Sequence, residues 1–582
     1  MGGNSSTLLL FSIPLFTICY IKAWQTKAQG AIPQDTGGDV PEEMIAKQGF
    51  TLKKVPDKID AIVIGSGMGG LTTAALLAKN GKRVLVLEQH DVAGGNTHTF
   101  EEKGFEFDTG LHSVGGRIGE KTSSTRRVFD YITDNGVEWQ KLGDIVDSTI
   151  FDNNGVKEKV NIPNTIPQFR QQLIDMFPEE EKGIIKFFNL VRESNVAFKH
   201  YFLIQALSPW ASSIYRFFFN SKMKYFNLTT NEVMKSITSN KKLAGILTYA
   251  WGDFGEQPGR SSFALTATLI GHYHGGAYYP VGGPSVIARR IIRVIEKAGG
   301  KVLVRAPVSS ILMNDKGHAY GVVVKEKCVE APIVISTVGA PLTFNRLVPA
   351  EHQCRVLDIK DKLTNSKIAS EFSLMTLFIG LKANDSVKFP THNVWSFPSY
   401  DHQKNKEIYK KNLDAPFCGT FMSFPSAKDP EYSQRHPGKQ VALVIAVGFY
   451  EHVEAYKDNR VRHRGPEYQA IKDKFQQRLL DLFLEKYPDL KDDIELTEMG
   501  TALTNDFYLG NYRGAIYGLA HTPERYQQLC LNPRTPIKNL YLSGQDVMSC
   551  GIVGAMFGGL TTASVLSTSI LKRVGELLKE SN

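Results

Sequence analysis

The stretch Asp60–His90, DAIVIGSGMGGLTTAALLAKNGKRVLVLEQH, limits the fold more than any other part of the chain. AIVI and RVLVLE are short apolar runs rich in β-branched residues, and the residues between them repeat apolar side chains at helical spacing as far as Gly81, so the stretch predicts a strand–helix–strand unit. Gly65, Gly67 and Gly70 stand at G-x-G-x-x-G spacing between the first strand and the helix. There Gly65 permits a tight turn, Gly67 lets a diphosphate approach the backbone, and Gly70 lets helix and strand pack closely. The diphosphate would sit at the helix N-terminus, where unpaired N–H groups and the positive end of the helix dipole favour an anion. Glu88 closes the second strand with a carboxylate suited to both hydroxyls of a ribose and repulsive to a 2′-phosphate. The expected architecture is α/β with a Rossmann-like dinucleotide site.

The alternation returns twice. PSVIARRIIRVIEKAGG, from Pro284, puts Ile287, Ile291, Ile292 and Ile295 on one helical face and runs into an expected strand KVLVRAPVSSILM, followed by AYGVVVKE and APIVISTVGAP. NLYLSGQD is a last strand, leading through a glycine-rich turn into a terminal helix. The nucleotide domain is therefore expected to be discontinuous, in parts at 58–135, 271–345 and 531–582, with an inserted α+β substrate domain drawn from 136–270 and 346–530. Residues 31–57 are polar, carry Gly and Pro, and read as a linker.

Residues 1–30 contain an apolar run from Thr7 to Ile21, interrupted by Pro14 and ended by Lys22. It is shorter than the roughly 20 residues that span hydrocarbon. It reads as a secretory signal peptide, with small Ala28 and Gly30 near a cleavage site, or as an uncleaved signal anchor. Gly2–Ser6 also match the short myristoylation pattern, a reading that the following hydrophobic segment disfavours. The net charge of +9 is scattered, which argues against nucleic acid as a partner and leaves an anionic membrane surface or a mildly basic soluble face. Six cysteines without C-x-x-C spacing point to buried free thiols rather than a disulfide framework or zinc site. Sequons at Asn227 and Asn384 are compatible with a lumenal location.

The run DVAGGNTHTFEEKGFEFDTGLHSVGG and the closing LYLSGQDVMSCGIVGAMFGG resemble the first and last FAD motifs of the FAD-binding amine oxidases and phytoene desaturases. Within that superfamily, FDTGLHSVGG, GGAYYPVGGPSVIA, YLGNYRGAIYGL and SGQDVMSCGIVGA are most similar to the retinol saturases and next to the carotenoid isomerases, over about Lys58 to Leu578. The resemblance implies FAD as cofactor. It assigns Gly65, Ser66, Gly67, Gly69 and Gly70 to the diphosphate, Glu88 to the adenosine ribose, Gly94, Gly95 and Asn96 to the flavin side, and Val308 to backbone contacts with adenine. Gly544, Gln545 and Asp546 would meet the diphosphate and ribityl chain, with Ile552 and Val553 near the flavin ring.

The resemblance further implies an FAD-dependent oxidoreductase that saturates a double bond of all-trans-retinol to 13,14-dihydroretinol at an endoplasmic reticulum membrane, with NAD or NADP as a candidate electron donor. Carotenoid cis–trans isomerisation or desaturation stands as the alternative, and a prenyl-protein-binding architecture like that of GDP-dissociation inhibitors as the non-enzymatic one. No metal site is expected, and the absence of a Ser-His-Asp order or P-loop suits flavin chemistry. Saturation needs a hydride at one carbon and a proton at its neighbour. His112, Tyr279 and water are the candidate proton sources, although His112 and Asp108 also read as structural groups near a turn. A retinoid or carotenoid must arrive from a membrane or carrier. The segment Tyr201–Asn227, with Trp210, Tyr215 and Phe217 to Phe219 beside Arg216, Lys222 and Lys224, reads either as a membrane contact or as cavity lining. Protein partners are not legible.

Overall fold

Five parallel strands form the central sheet in the order Leu540–Leu542, Val334–Ser336, Ala61–Ile64, Val84–Leu87, Lys301–Leu303. The two strands of the opening unit are buried at every position, as expected of a parallel sheet covered on both faces. The computed structural model describes residues 41–153, 155–363 and 367–579. The expected signal segment, the myristoylation pattern and Cys19 lie outside the described residues. No described helix is long and apolar enough to cross a membrane.

Helix Met68–Lys79 packs against both helix Gly551–Leu566 and helix Ser285–Lys297, so the three sequence-distant α/β blocks meet at one place. Small residues make this possible. A Cβ on Gly69 would lie 2.4 Å from the Gly544 Cα, one on Gly559 would lie 2.6 Å from the Gly69 carbonyl oxygen, and one on Gly558 would lie 2.1 Å from the Gly544 carbonyl oxygen. The first and last motifs are thus in backbone contact.

Strands Ile145–Asn153 and Val156–Pro163, from the first insertion, join five strands of the second in one seven-stranded sheet. The junction is the parallel pairing of Ile145–Asn153 with Asn393–Phe397, and the remaining neighbours are antiparallel. The helices Glu181–Ala206, Pro209–Phe219 and Phe263–His272 of the first insertion lie outside that sheet, and Glu181–Ala206 packs on helix Gly551–Leu566.

Three expectations need correction. The run KVLVRAPVSSILM is two strands in different sheets, Lys301–Leu303 and Val308–Met313, because Pro307 cannot donate to a ladder and Arg305 turns the chain at φ 52°. From Pro41 onward the expected linker is an ordered edge of the nucleotide domain. Ile45 is fully buried, Phe50 N–H donates to the Val304 carbonyl at 2.9 Å, and Ala93 N–H donates to the Ala46 carbonyl at 2.8 Å. Its polar composition hid three apolar anchors, Ile45, Ala46 and Phe50. The described cysteines are all free, but Cys328 and Cys354 are exposed and only Cys418 is fully buried.

Candidate active site

Helix Met68–Lys79 begins at Gly67 with no side-chain cap, and helix Gly551–Leu566 begins at Cys550 with none. The first N–H groups of a helix have no intrahelical partner. Both uncapped ends open on one continuous cavity of about 3200 Å³. Gly67 has ordinary extended backbone angles, yet a Cβ built there meets no protein atom within 4 Å, so its side-chain direction is open space in the cavity wall. An open backbone cradle at a helix N-terminus is the arrangement a diphosphate needs.

Beside it Glu88 accepts hydrogen bonds from Ser66 N–H at 2.9 Å and Ser66 Oγ at 2.7 Å on one oxygen, and from His90 N–H at 2.9 Å on the other. The carboxylate fixes the glycine turn and still lines the cavity, where a ribose can share its remaining lone pairs. Gly65, Gly67, Gly69, Gly94, Gly95, Asn96, Val308, Gly544, Gln545, Ile552 and Val553 all line the same cavity. These residues fit FAD: two helix N-termini for negative charge, a carboxylate for ribose, and glycine backbone where the cofactor must come close.

Three assigned cofactor residues serve the frame instead of the cavity wall. Ser66 is fully buried, with Oγ donating to Glu88 and accepting from Gly94 N–H. Gly70 is a packing glycine whose Cβ would lie 2.3 Å from the Gly65 carbonyl oxygen. Asp546 is buried, and its two oxygens accept from Ala340 N–H at 2.8 Å and Leu519 N–H at 3.1 Å. It ties two loops together and is not among the residues that line the cavity.

The candidate proton donors part company. Tyr279 is not among the lining residues. It is 1% exposed, and its hydroxyl donates to both oxygens of Asp108, at 2.7 and 2.9 Å. Asp108 is correspondingly no turn-stabilising carboxylate, since burial raises its pKa and its partner is Tyr279. His112 does line the cavity, but burial, helped by the Lys428 charge, pushes its pKa down to about 3, so its ring is neutral. Lys428 lies beneath it, 1% exposed, donating to the His112 carbonyl at 2.8 Å, Asn393 Oδ1 at 2.6 Å and Ser423 Oγ at 2.7 Å. Asn393 Nδ2 passes on to Asp147, which also accepts from the Tyr249 hydroxyl.

Lys428, Asn393 and the acid Asp253 were not picked out from the sequence. Asp253 sits in AWGDFG, where no spacing marks it, and its neighbours come from residues far away in the chain. Among the described residues Glu101, Glu106 and His436 also converge, but Glu106 is held by Arg435 and His436 and the group lies off the cavity.

The segment Tyr201–Asn227 divides between core, cavity wall and exposed surface. Tyr201, Tyr225 and Phe226 are core residues. Tyr215 and Phe219 stack at 4.4 Å on the cavity side, while Phe217 and Phe218 are 81% and 71% exposed. Val196, Leu203, Trp210 and Ile214 continue this exposed apolar rim, and all four line the cavity mouth.

The model for flavin-containing amine oxidoreductases matches residues 68–352. An all-trans-retinol 13,14-reductase of Danio rerio is 37% identical over 90% of this chain and 88% of its own length, and an inactive all-trans-retinol 13,14-reductase of the same organism is 34% identical over 90% and 88%. A crystal structure of an oxidoreductase from Methanosarcina mazei shares the fold, with a TM-score of 0.55 and 17% identity over 86% of this chain and 99% of that one. With the open glycine cradle, the Glu88 carboxylate and the two uncapped helix ends joined in one cavity, the chain belongs to the all-trans-retinol 13,14-reductase family of FAD-dependent oxidoreductases.

Proposed function

We propose that this protein reduces one conjugated double bond of all-trans-retinol, the 13,14 bond named for its relatives, at the surface of the endoplasmic reticulum membrane and with electrons drawn from NADH or NADPH. The observation that carries the reading is the contrast between the two ends of the cavity. One end is built of glycine backbone and Glu88, the other of exposed apolar side chains, and a long apolar polyene can enter at the second while the flavin occupies the first.

When bound, FAD supplies two electrons and one hydrogen to the alkene. The chain's own part is to hold the cofactor on the helix ends, to exclude bulk water with an apolar wall, and to deliver a proton. Burial holds the His112 ring neutral, and the Tyr279 hydroxyl is engaged by Asp108 off the cavity wall, which disfavours both as that donor. Reducing the flavin protein anaerobically and offering retinol and a cis-carotenoid separately tests the reading. Dihydroretinol is the expected product, whereas a carotenoid isomer with retinol untouched would favour the isomerase alternative.

Phe217 and Phe218 stand where a membrane contact would place them, beside the mouth that Trp210 and Ile214 line. Burying a Phe side chain contributes about 1.5–3 kcal/mol. In protein beginning at Pro41, the double substitution Phe217→Ser and Phe218→Ser is expected to weaken liposome partition at least about tenfold. Unchanged partition of a folded variant would contradict the membrane contact.

A further inference from the structure

Among the described residues three carboxyls line the cavity: Glu88, Glu576 and Asp253. Glu88 is engaged by the glycine turn, and Glu576 pairs with Arg573 at 2.9 Å on the terminal helix. Asp253 differs from both. Its carboxyl makes no hydrogen bond to the described residues, while its backbone carbonyl lies 3.9 Å from Cys550 Sγ, the residue that opens helix Gly551–Leu566. That contact holds the Asp253 backbone at the N-terminal end of the helix that carries Ile552 and Val553, and all four residues line the one cavity.

Its surroundings suit an acid that keeps its proton. Burial holds the Asp253 carboxyl well above the usual carboxylate range, and the charge of Asp147 adds to the effect. The other ionisable groups near it are Tyr249, Tyr273, Tyr517 and Cys550, each itself held neutral by burial. The last three line the cavity with it. His272, another lining residue, accepts from Gly115 N–H at 3.0 Å and is pushed by burial down to about 4, so it brings no positive charge. No cation among the groups that perturb Asp253 draws its proton away.

Resting on the alkene-reduction reading above, we propose that Asp253 is the catalytic acid, donating its carboxyl proton to one carbon of the polyene double bond. The O–H bond of Asp253 breaks and a C–H bond forms at that carbon. The neighbouring carbon receives a hydrogen and both electrons from two-electron-reduced flavin, so the alkene is reduced and the flavin oxidised. The Asp253 carboxylate left behind is reprotonated from water entering the cavity, and a two-electron donor of the nicotinamide class restores the flavin.

Two measurements on the full-length holoprotein test this. In the infrared difference between wild type and Asp253→Asn at neutral pH, a protonated-carboxyl C=O band is expected in wild type and missing from the variant. This needs no substrate. In anaerobic single turnover with retinol, Asp253→Asn is expected to lose about 10²–10⁴-fold in rate with flavin content and retinol affinity kept, the usual range for removing a general acid. Asp253→Glu retains a carboxyl and is expected to react at least about tenfold faster than Asp253→Asn. A wild-type rate in Asp253→Asn, equal rates for the two variants, or a carboxyl band unchanged by the substitution would each overturn the assignment. If wild type fails to reduce retinol, the substrate reading falls, and the infrared comparison still shows whether Asp253 holds the proton that the assignment requires, an absent band overturning it.

Discussion

Gly558→Val is expected to destabilise the protein by about 3 kcal/mol or more and to empty it of flavin. The added Cβ would sit 2.1 Å from the Gly544 carbonyl oxygen, 2.7 Å from its carbonyl carbon and 3.0 Å from its Cα. All three are backbone atoms, so no flexible side chain can move aside. Helix Gly551–Leu566 would have to lift from the turn after strand Leu540–Leu542, and Gly544 would shift with it. Because Gly69 and Gly559 cross at the same place, the displacement reaches helix Met68–Lys79 and the diphosphate cradle. Thermal midpoint and flavin absorbance per chain check this together. A variant that melts with wild type and keeps its flavin would mean that helix Gly551–Leu566 does not rest on the Gly544 turn at Gly558.

Lys428→Met is expected to cost about 3–5 kcal/mol, since each buried acceptor left without its donor costs about 1–3 kcal/mol. The side chain lies at the end of the short helix Pro425–Lys428, and its three donors are matched by the His112 carbonyl, Asn393 Oδ1 and Ser423 Oγ. Methionine fills the volume but leaves three buried acceptors without donors. Two of those partners, His112 and Asn393, form part of the cavity wall, so the substitution should also loosen the substrate site. The double variant Lys428→Met, Asn393→Leu removes a donor and its acceptor together. It is expected to be more stable than the sum of the single changes predicts. Denaturation midpoints of the four proteins measure this, and strict additivity would argue that Lys428 and Asn393 act independently.

The parts of the site legible in the sequence are those in which one short segment dictates its own geometry. The turn after Ile64 needs glycine at Gly65, where φ is 96°, and Glu88 stands one strand away, so local spacing alone places both. The terminal Gly544 motif is legible for the same reason. Asp546 and Tyr279 were legible as residues but not as roles, because a sequence does not show that Leu519 and Ala340, or Asp108, already occupy their polar atoms. Asp253 and Lys428 were not legible at all. What distinguishes them is burial among residues contributed by distant segments, such as Cys550 for Asp253 and His112 for Lys428. The joining of the two insertions into one sheet rests likewise on a single parallel pairing, Asn393–Phe397 with Ile145–Asn153, which no local pattern announces.

The Gly65 and Gly544 turns close one FAD site, and a side chain at Gly67 would block it. Unlike Gly558, Gly67 has backbone angles any residue adopts, φ −64° and ψ 173°, and free space where a side chain would go. Gly67→Leu should therefore fold and melt as wild type does while its side chain fills the place of the diphosphate. Released flavin, measured per chain after purification, should be one FAD in wild type and close to none in Gly67→Leu. A folded Gly67→Leu that retains its full FAD, or a wild-type protein that carries none and takes none up, would mean that the Gly65 and Gly544 turns do not form an FAD site.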